Sequence, residues 1–219
     1  MRAAGPQTIG APQSPSLSMH TSRRHRRTPV TGPRRSTTPA QRTCRALAAA
    51  CAVAMLAPAQ AATRTWVGGG ANGNWSAGAN WQGAARPANG DLLVFQGGQR
   101  LGNTDDLSGL SVGGISFAAG AGAFVLGGSL ALTTTGNIVN ASSQLQTFGM
   151  GLVLGADQVW NGGSAGLLNG AGLLMKGALN LGTYGLSLDS NGAAMSITGA
   201  ISGTGGLAKA GWGTLTLAG

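Results

Sequence analysis

The residues after position 61 predict an all-β fold of the β-solenoid class, and three observations support this prediction. Apolar residues alternate with small or polar ones in short runs, which is the two-residue period of a β-strand. Gly, Asn, Asp and Ser separate these runs, as expected for turns. Pro87 is the only proline after residue 61, and scarcity of proline suits strands that are hydrogen-bonded on both sides.

The final segment, ISGTGGLAKAGWGTLTLAG (201–219), shows the pattern most clearly. It is much longer than a typical strand of about 5–6 residues, so Gly205-Gly206 and Gly211-x-Gly213 are expected to be corners. Similar runs of Leu-x-Leu type occur at 124–143, 151–164 and 177–199. Between residues 115 and 217 there is room for about four or five coils of the usual repeat length.

Residues 1–61 form a separate basic leader. Nine of the fourteen Lys and Arg residues lie here, with no acidic residue. An apolar stretch at 46–57 follows the basic part, and the small-residue pattern Ala59-Gln60-Ala61 comes next. This order is typical of a secretory signal peptide, which predicts cleavage before Ala62 and export by the Sec machinery.

Several features of the leader leave alternatives open. Met19 is a second possible start, which would shorten the basic region. The SRRHRR run contains paired arginines, but the apolar stretch begins about twenty residues later, so a twin-arginine signal is weakly supported. Cys51 faintly resembles a lipoprotein cleavage site, although apolar residues continue beyond it.

The charge after residue 61 does not favour a nucleic-acid partner. The formal net charge of the whole chain is +9, but the part after residue 61 holds five basic residues and five aspartates. Binding of phosphate groups requires clustered cations, and the sequence after the leader contains no such cluster. We therefore predict no nucleic-acid partner.

The final segment resembles the autotransporter-associated β-strand repeat, whose pattern is approximately I-x-G-x-G-G-L-x-K-x-G-x-G-T-L-x-L-x-G. The matching positions are Ile201, Gly203, Gly205, Gly206, Leu207, Lys209, Gly211, Gly213, Thr214, Leu215, Leu217 and Gly219. Trp212 departs from the pattern, because a small or polar residue is commoner there. The stretches TWVGGGANGNWSAGANW (65–81) and NGDLLVFQGG (89–98) are similar to the openings of secreted proteins with these repeats.

The resemblance implies a right-handed parallel β-helix at the cell surface, or outside the cell, of a Gram-negative bacterium. It also implies an outer-membrane translocator barrel as a partner, and this chain contains no sequence pattern typical of such a barrel. On this view, the final segment is one repeat of a longer solenoid that is cut off at Gly219.

The sequence after residue 61 offers few groups for catalysis. It contains no His, Cys or Glu, so Ser-His and Cys-His pairs and the usual zinc ligands cannot form there. We therefore predict no catalytic residues, no metal and no cofactor. Asp105-Asp106 is the only adjacent carboxylate pair, and its Gly-Asn-Thr setting is typical of a solvated turn.

Trp66, Trp75 and Trp81 form a cluster near the start of the predicted solenoid. They are expected to cover the open end of the first coil, with stacking on a glycan as the alternative.

The predicted organisation is a leader at 1–61, an N-terminal cap region at 62–110 and a β-solenoid at 111–219. The predicted function is that of a non-enzymatic passenger segment, acting as a stalk or as an adhesin for glycans or neighbouring cells. Two alternatives are the N-terminal part of a carbohydrate-active β-helical enzyme and a nonfunctional truncated reading frame.

Overall fold

The computed structural model describes residues 60–163 and 172–219, and these residues form an all-β fold with two short 3-10 helices at Gly78–Asn80 and Gln82–Ala84. The strands are β1 (Thr63–Trp66), β2 (Leu92–Phe95), β3 (Gly102–Thr104), β4 (Ser111–Val112), β5 (Gly114–Phe117), β6 (Val125–Gly127), β7 (Leu132–Thr134), β8 (Ile138–Asn140), β9 (Gln146–Phe148), β10 (Leu152–Leu154), β11 (Gln158–Asn161), β12 (Leu173–Met175), β13 (Leu179–Asn180), β14 (Leu186–Asp189), β15 (Ala194–Ile197), β16 (Ile201–Ser202), β17 (Leu207–Ala210) and β18 (Thr214–Leu217).

The strands belong to three parallel sheets. The first sheet has the order β1-β2-β5-β8-β11-β14-β17, the second β3-β6-β9-β12-β15-β18 and the third β4-β7-β10-β13-β16. From β2 onward the chain visits the first, second and third sheets in turn and then returns to the first, one strand further along. Each such circuit is one coil of a parallel β-helix, which confirms the predicted fold class.

Most coils have nearly the same length, so equivalent residues of successive coils stand side by side. Leu92 pairs with Gly114, Ile115 pairs with Ile138, and Leu186 pairs with Leu207. These partners are 22, 23 and 21 residues apart in the sequence. Because side chains in a strand alternate between the two faces, this constant register places like positions in continuous inward and outward columns.

The core consists of these inward columns. In the first sheet, Leu93, Ile115, Trp160 and Leu188 all point inward and are fully buried. Aromatic side chains fill the N-terminal part of the interior. Phe95 stacks on Phe117 with 5.4 Å between ring centroids, and Phe117 meets Phe148 edge-to-face at 6.0 Å.

Polar residues also occupy inward positions, where they bond to one another. The Trp160 indole donates to Gln158 Oε1 at 2.7 Å, and Gln158 Nε2 donates to the Thr134 carbonyl at 2.6 Å. The Thr134 hydroxyl completes this buried group by donating to Gln158 Oε1 at 3.1 Å. A buried polar group is tolerated when it is hydrogen-bonded, so this cluster fixes the register of two adjacent coils.

Parallel strand pairing occurs in both the predicted cap region (62–110) and the predicted β-solenoid (111–219). Strands β1, β2 and β3 precede this position and already belong to the first and second sheets. Residues 1–59 of the leader, which include the apolar stretch at 46–57 and Ala59, lie outside the described residues. Among the helices of the described residues, none has both the length and the apolar character that a membrane span requires.

Candidate functional sites

The N-terminal end of the β-helix contains the three tryptophans singled out in the sequence. Trp66, Trp75 and Trp81 are at most 1% exposed. Trp81 meets Trp66 and Trp75 edge-to-face, with centroid distances of 5.1 and 6.0 Å. All three rings also lie within 5.9 Å of the Phe95 ring. The tryptophans therefore cover the first coil, and their burial leaves no ring face open for a sugar.

Each indole N–H in this cluster has a hydrogen-bond partner. Trp75 donates to Asn103 Oδ1 at 2.8 Å, and Trp81 donates to the Trp75 carbonyl at 2.9 Å. Trp66 donates to the carbonyl of Gln99 at 3.1 Å. Sequence reasoning did not identify Asn103, whose amide lies on an inward position of β3 and is 4% exposed.

A buried asparagine holds the glycine-rich segment that carries the tryptophans. Asn80 is fully buried and accepts the Gly70 N–H at 2.8 Å. Its amide nitrogen donates to the carbonyls of Asn72 and Asn74 at 2.9 and 2.8 Å. One side chain therefore satisfies several backbone groups of a segment that has few ladder hydrogen bonds of its own.

Asp91 forms a second cluster at this end. The residue is 2% exposed and precedes β2. Its carboxylate pairs with Arg64 Nε at 2.7 Å and accepts the backbone N–H groups of Ala62 and Ala88 at 2.8 and 3.0 Å. Burial acts to raise the pKa of Asp91, but these hydrogen bonds outweigh it, so the pKa lies below its ordinary value of 3.8.

The structure corrects part of the sequence interpretation of the adjacent pair Asp105-Asp106, which predicted a solvated turn. Asp105 is only 2% exposed, so it is not part of a solvated turn. Its Oδ1 accepts the Leu107 N–H at 3.0 Å, whereas Oδ2 has no hydrogen-bond partner among the residues that the structure describes. Burial, and secondarily the charge of Asp106, raise the pKa of Asp105.

The environment of Asp106 shifts its pKa in the opposite direction. It accepts hydrogen bonds from the backbone N–H and the hydroxyl of Ser76, at 2.9 and 2.5 Å. Burial acts to raise its pKa, but the bonds from Ser76 dominate and lower it. The two carboxylates therefore have different hydrogen-bond partners and do not converge on a shared site.

A surface cleft of about 660 Å³ lies beside Asp106. Its polar lining includes Ser76, Arg86 and Asn89, and its apolar lining includes Pro87 and Leu110. Among the described residues, no group of three or more His, Cys, Asp or Glu residues is placed to hold a metal ion.

The repeat motif forms the C-terminal coil. Bends lie at residues 203–205 and 211–213, between β16, β17 and β18. The predicted corner at Gly211-x-Gly213 coincides with the second bend, whereas the predicted corner at Gly205-Gly206 overlaps the first bend only at Gly205. Leu207 and Lys209 occupy inward columns, paired with Leu186 and Leu188, but Lys209 is exposed. Its ammonium donates to the carbonyl of Gly211 at 2.7 Å.

This coil also has exposed apolar groups. Ile201, Trp212 and Leu217 are 37%, 61% and 53% exposed. The six-membered part of the Trp212 indole lies against Gly192, where an added Cβ would come within 2.9 Å of the ring. In the sequence, only the departure of Trp212 from the repeat pattern distinguished this position.

Comparisons of the chain with protein-family models, curated proteins and solved structures give no match.

Proposed function

We propose that this chain is a secreted or surface-displayed passenger segment of the autotransporter kind, which acts as a structural stalk or adhesin and not as an enzyme. The observation that carries the proposal is the continuous parallel register of the three sheets. Such a stack of coils can serve as a structural stalk without any further part. The repeat motif at 201–219 is one of its coils.

The geometry of the sheets suits a stalk. Neighbouring strands of a sheet lie about 4.7–4.9 Å apart, so the seven strands of the first sheet extend over roughly 28 Å along the axis. Every coil is held by backbone hydrogen bonds to the coil before it and by inward apolar side chains. Additional coils of this type would lengthen the rod without changing its cross-section.

The outer surface supports the adhesin part of the proposal. The outward face of the first sheet includes Leu92, Val139 and Val159, which are 39%, 37% and 47% exposed. Trp212 adds an exposed ring at a corner of the C-terminal coil. An aromatic ring with one exposed side can stack on the apolar face of a sugar, so neutral glycans are the ligands that this surface fits best.

Export is the part of the proposal that rests on the leader. The Sec machinery would deliver the chain across the inner membrane, and an outer-membrane translocator barrel would be required for surface display. A fusion of residues 1–61 to a reporter enzyme that is active only outside the cytoplasm tests this step. Reporter activity is expected with the leader and not with a variant in which residues 46–57 are deleted.

The adhesin function is tested by displaying the full chain on a non-adherent cell. Attachment to glycan-coated and abiotic surfaces is expected to increase relative to cells without the chain. Trp212→Ala should reduce attachment, whereas Tyr184→Ala, which removes a ring at a different corner that is 37% exposed, should change it less. Unchanged attachment of well-displaying cells would contradict the adhesin function.

A further inference from the structure

The carboxylate of Asp91 is placed at the residue that is predicted to begin the mature chain. Asp91 Oδ1 accepts the N–H of Ala62 at 2.8 Å, and Oδ2 is occupied by Arg64 and by the N–H of Ala88. Because Asp91 is only 2% exposed, its carboxylate is fixed by its partners and is not a mobile surface group.

Backbone hydrogen bonding to the next coil begins at the same residue. Ala61 is exposed, whereas Ala62 is half-buried and its carbonyl accepts the N–H of Leu92 at 2.9 Å. Strand β1 begins at the next residue, Thr63, which pairs with Leu92. The peptide bond between Ala61 and Ala62 therefore marks the boundary between exposed chain and chain that is held by the first coil.

We infer that processing occurs at this bond and that Asp91 is the binding site for the new α-ammonium group of Ala62. In the cleavage, water attacks the Ala61 carbonyl carbon, the C–N bond to Ala62 breaks, and Ala61 keeps the oxygen as a carboxylate. The Ala62 nitrogen takes up protons and becomes a cation. It then occupies the position where the amide nitrogen already lies, 2.8 Å from Asp91 Oδ1.

Processing at this bond converts a hydrogen bond from a neutral N–H group to the Asp91 carboxylate into one in which both partners are ionised. The new ammonium group adds a direct Coulomb attraction to the carboxylate, which the neutral amide lacks. The charged groups in direct contact here, within the part of the chain that the structure describes, are Asp91 and its partner Arg64. Asp91 would then bind one cation on each oxygen, and the arrangement would fasten the first strand of the mature β-helix.

The ion pair has a distinct pH dependence. A free α-amino group titrates near pH 7.7–8.0, and a neighbouring carboxylate raises that pKa because it favours the charged form. The extra stability of the processed chain is thus fully present below the ordinary α-amino pKa and is lost as pH rises through the raised one. The unprocessed chain has an amide at this position and lacks this dependence.

The location of the cleavage rests on the proposed export, so it is tested separately from the ion pair. The full chain is expressed in a secreting Gram-negative host, and the N-terminus of the exported product is identified by mass spectrometry. A product beginning at Ala62 is expected, and a product beginning at another residue overturns the proposed cleavage. Absence of any exported product contradicts the proposed export and leaves the second experiment to decide the ion pair.

The second experiment compares the unprocessed full chain with a chain beginning at Ala62 that is released in vitro from a cleavable fusion. Unfolding in denaturant is measured between pH 6 and pH 10. At pH 6 the processed chain is expected to have an unfolding equilibrium constant about tenfold smaller than at pH 10, corresponding to a pKa raised by about one unit, with no such change in the unprocessed chain. Equal pH dependence of the two forms overturns the proposal.

Asp91→Asn provides the specific control, because it removes the charge and keeps the shape. It should abolish the pH-dependent difference between the two forms. Because this variant also loses its pairing with Arg64, the pKa of the Ala62 amino group is measured directly by NMR in the processed chain and in Arg64→Gln. A raised pKa that persists in Arg64→Gln supports Asp91 as the partner, and an ordinary pKa in the unsubstituted processed chain overturns it.

Discussion

The two ends of the β-helix are built from the same kind of coil, but their inward side chains differ in how far they are buried. At the N-terminal end, Trp66, Trp75 and Trp81 cover the first coil and are at most 1% exposed. At the C-terminal end, Ile201 and Leu217 hold inward positions and remain 37% and 53% exposed. The comparison shows that burial in a solenoid depends on what lies beyond a coil, and not on the coil's own pattern.

The two ends also differ in their strand edges. At the N-terminal end, the segment after β1 folds back, so that the N–H groups of Val67 and Gly68 bond to the Asn80 carbonyl at 2.8 and 3.1 Å. At the C-terminal end, β16, β17 and β18 are each the last strand of a sheet. A terminal strand presents unpaired N–H and carbonyl groups, which is the usual template for association with another chain.

Replacement of a tryptophan by alanine at each end should give the largest difference between the two ends in the free energy of unfolding. Trp75→Ala removes a fully buried ring and leaves Asn103 Oδ1 without its indole donor. We expect a loss of about 3–5 kcal/mol in the free energy of unfolding. Trp212→Ala, at a side chain that is 61% exposed, should change it by no more than about 0.5 kcal/mol. Chemical denaturation of both variants measures the contrast, and equal losses would contradict the assignment of a closed and an open end.

Replacement of a glycine by alanine at each end should give the next largest difference in stability. At Gly78, a Cβ would lie about 2.4 Å from the carbonyl oxygen of Ala84, so Gly78→Ala forces the backbone apart. Overpacking of this kind costs about 1–3 kcal/mol. At Gly206, no heavy atom of the described residues, apart from Gly206 and its two chain neighbours, lies within 4 Å of the added Cβ, so Gly206→Ala should be nearly neutral. Thermal unfolding followed by circular dichroism distinguishes the two, and a neutral Gly78→Ala would show that the cap is loosely packed.

The buried carboxylate at the N-terminal end predicts a pH dependence. Because the pKa of Asp105 is raised in the folded state, this residue favours folding at low pH, and its contribution is lost as pH rises through the raised pKa. Asp105→Asn should therefore stabilise the protein at neutral pH by about 1 kcal/mol, since it removes an incompletely bonded buried charge.

The neighbouring carboxylate, Asp106, is expected to affect stability with the opposite pH dependence. The pKa of Asp106 is lowered, so its contribution is present above the ordinary value and is lost as pH falls. Asp106→Asn should destabilise the protein at neutral pH and have little effect in acid. Urea unfolding at pH 3 and pH 7 measures both substitutions. A stabilising Asp106→Asn, or a destabilising Asp105→Asn, at pH 7 would refute the burial-based argument.

Charges on the terminal strands should have the smallest effect on folding but a clear effect on association. Thr216→Lys places a cation on the outward face of β18. Lysine on an edge strand disfavours pairing with another chain, so self-association measured by analytical ultracentrifugation should decrease. The matched change at the other end, Thr63→Lys on the exposed start of β1, should leave association unchanged. If Thr63→Lys has the larger effect, association proceeds through the N-terminal end.

Local sequence pattern was sufficient for the strands and corners of the repeats. In segment 124–143 the alternation of apolar and polar residues predicts short strands, and β6, β7 and β8 lie there. The two predicted glycine corners of the final segment likewise coincide with or overlap bends. These features depend on residues within a few positions of one another, because strand alternation and turn geometry are local properties.

The candidate sites could be predicted only in part. The closeness of the tryptophans in sequence predicts that they form a group, but the Gly-Asn-Thr context of Asp105 predicts a turn and gives no sign that this residue is buried. Nothing in the local sequence links Asp91 to Ala62, since these residues are 29 positions apart, which is one full coil, and meet through the pairing of β1 with β2.

The sequence by itself therefore determined the strand period, the positions of the corners and the all-β class, through rules that operate over a few residues. Tertiary structure alone decided which columns formed, which end was covered and which carboxylates were buried or paired. The physical reason is that stacking brings together residues about one coil apart. The free energy of those contacts depends on register and on a covering layer, and neither is encoded in the alternation of neighbouring residues.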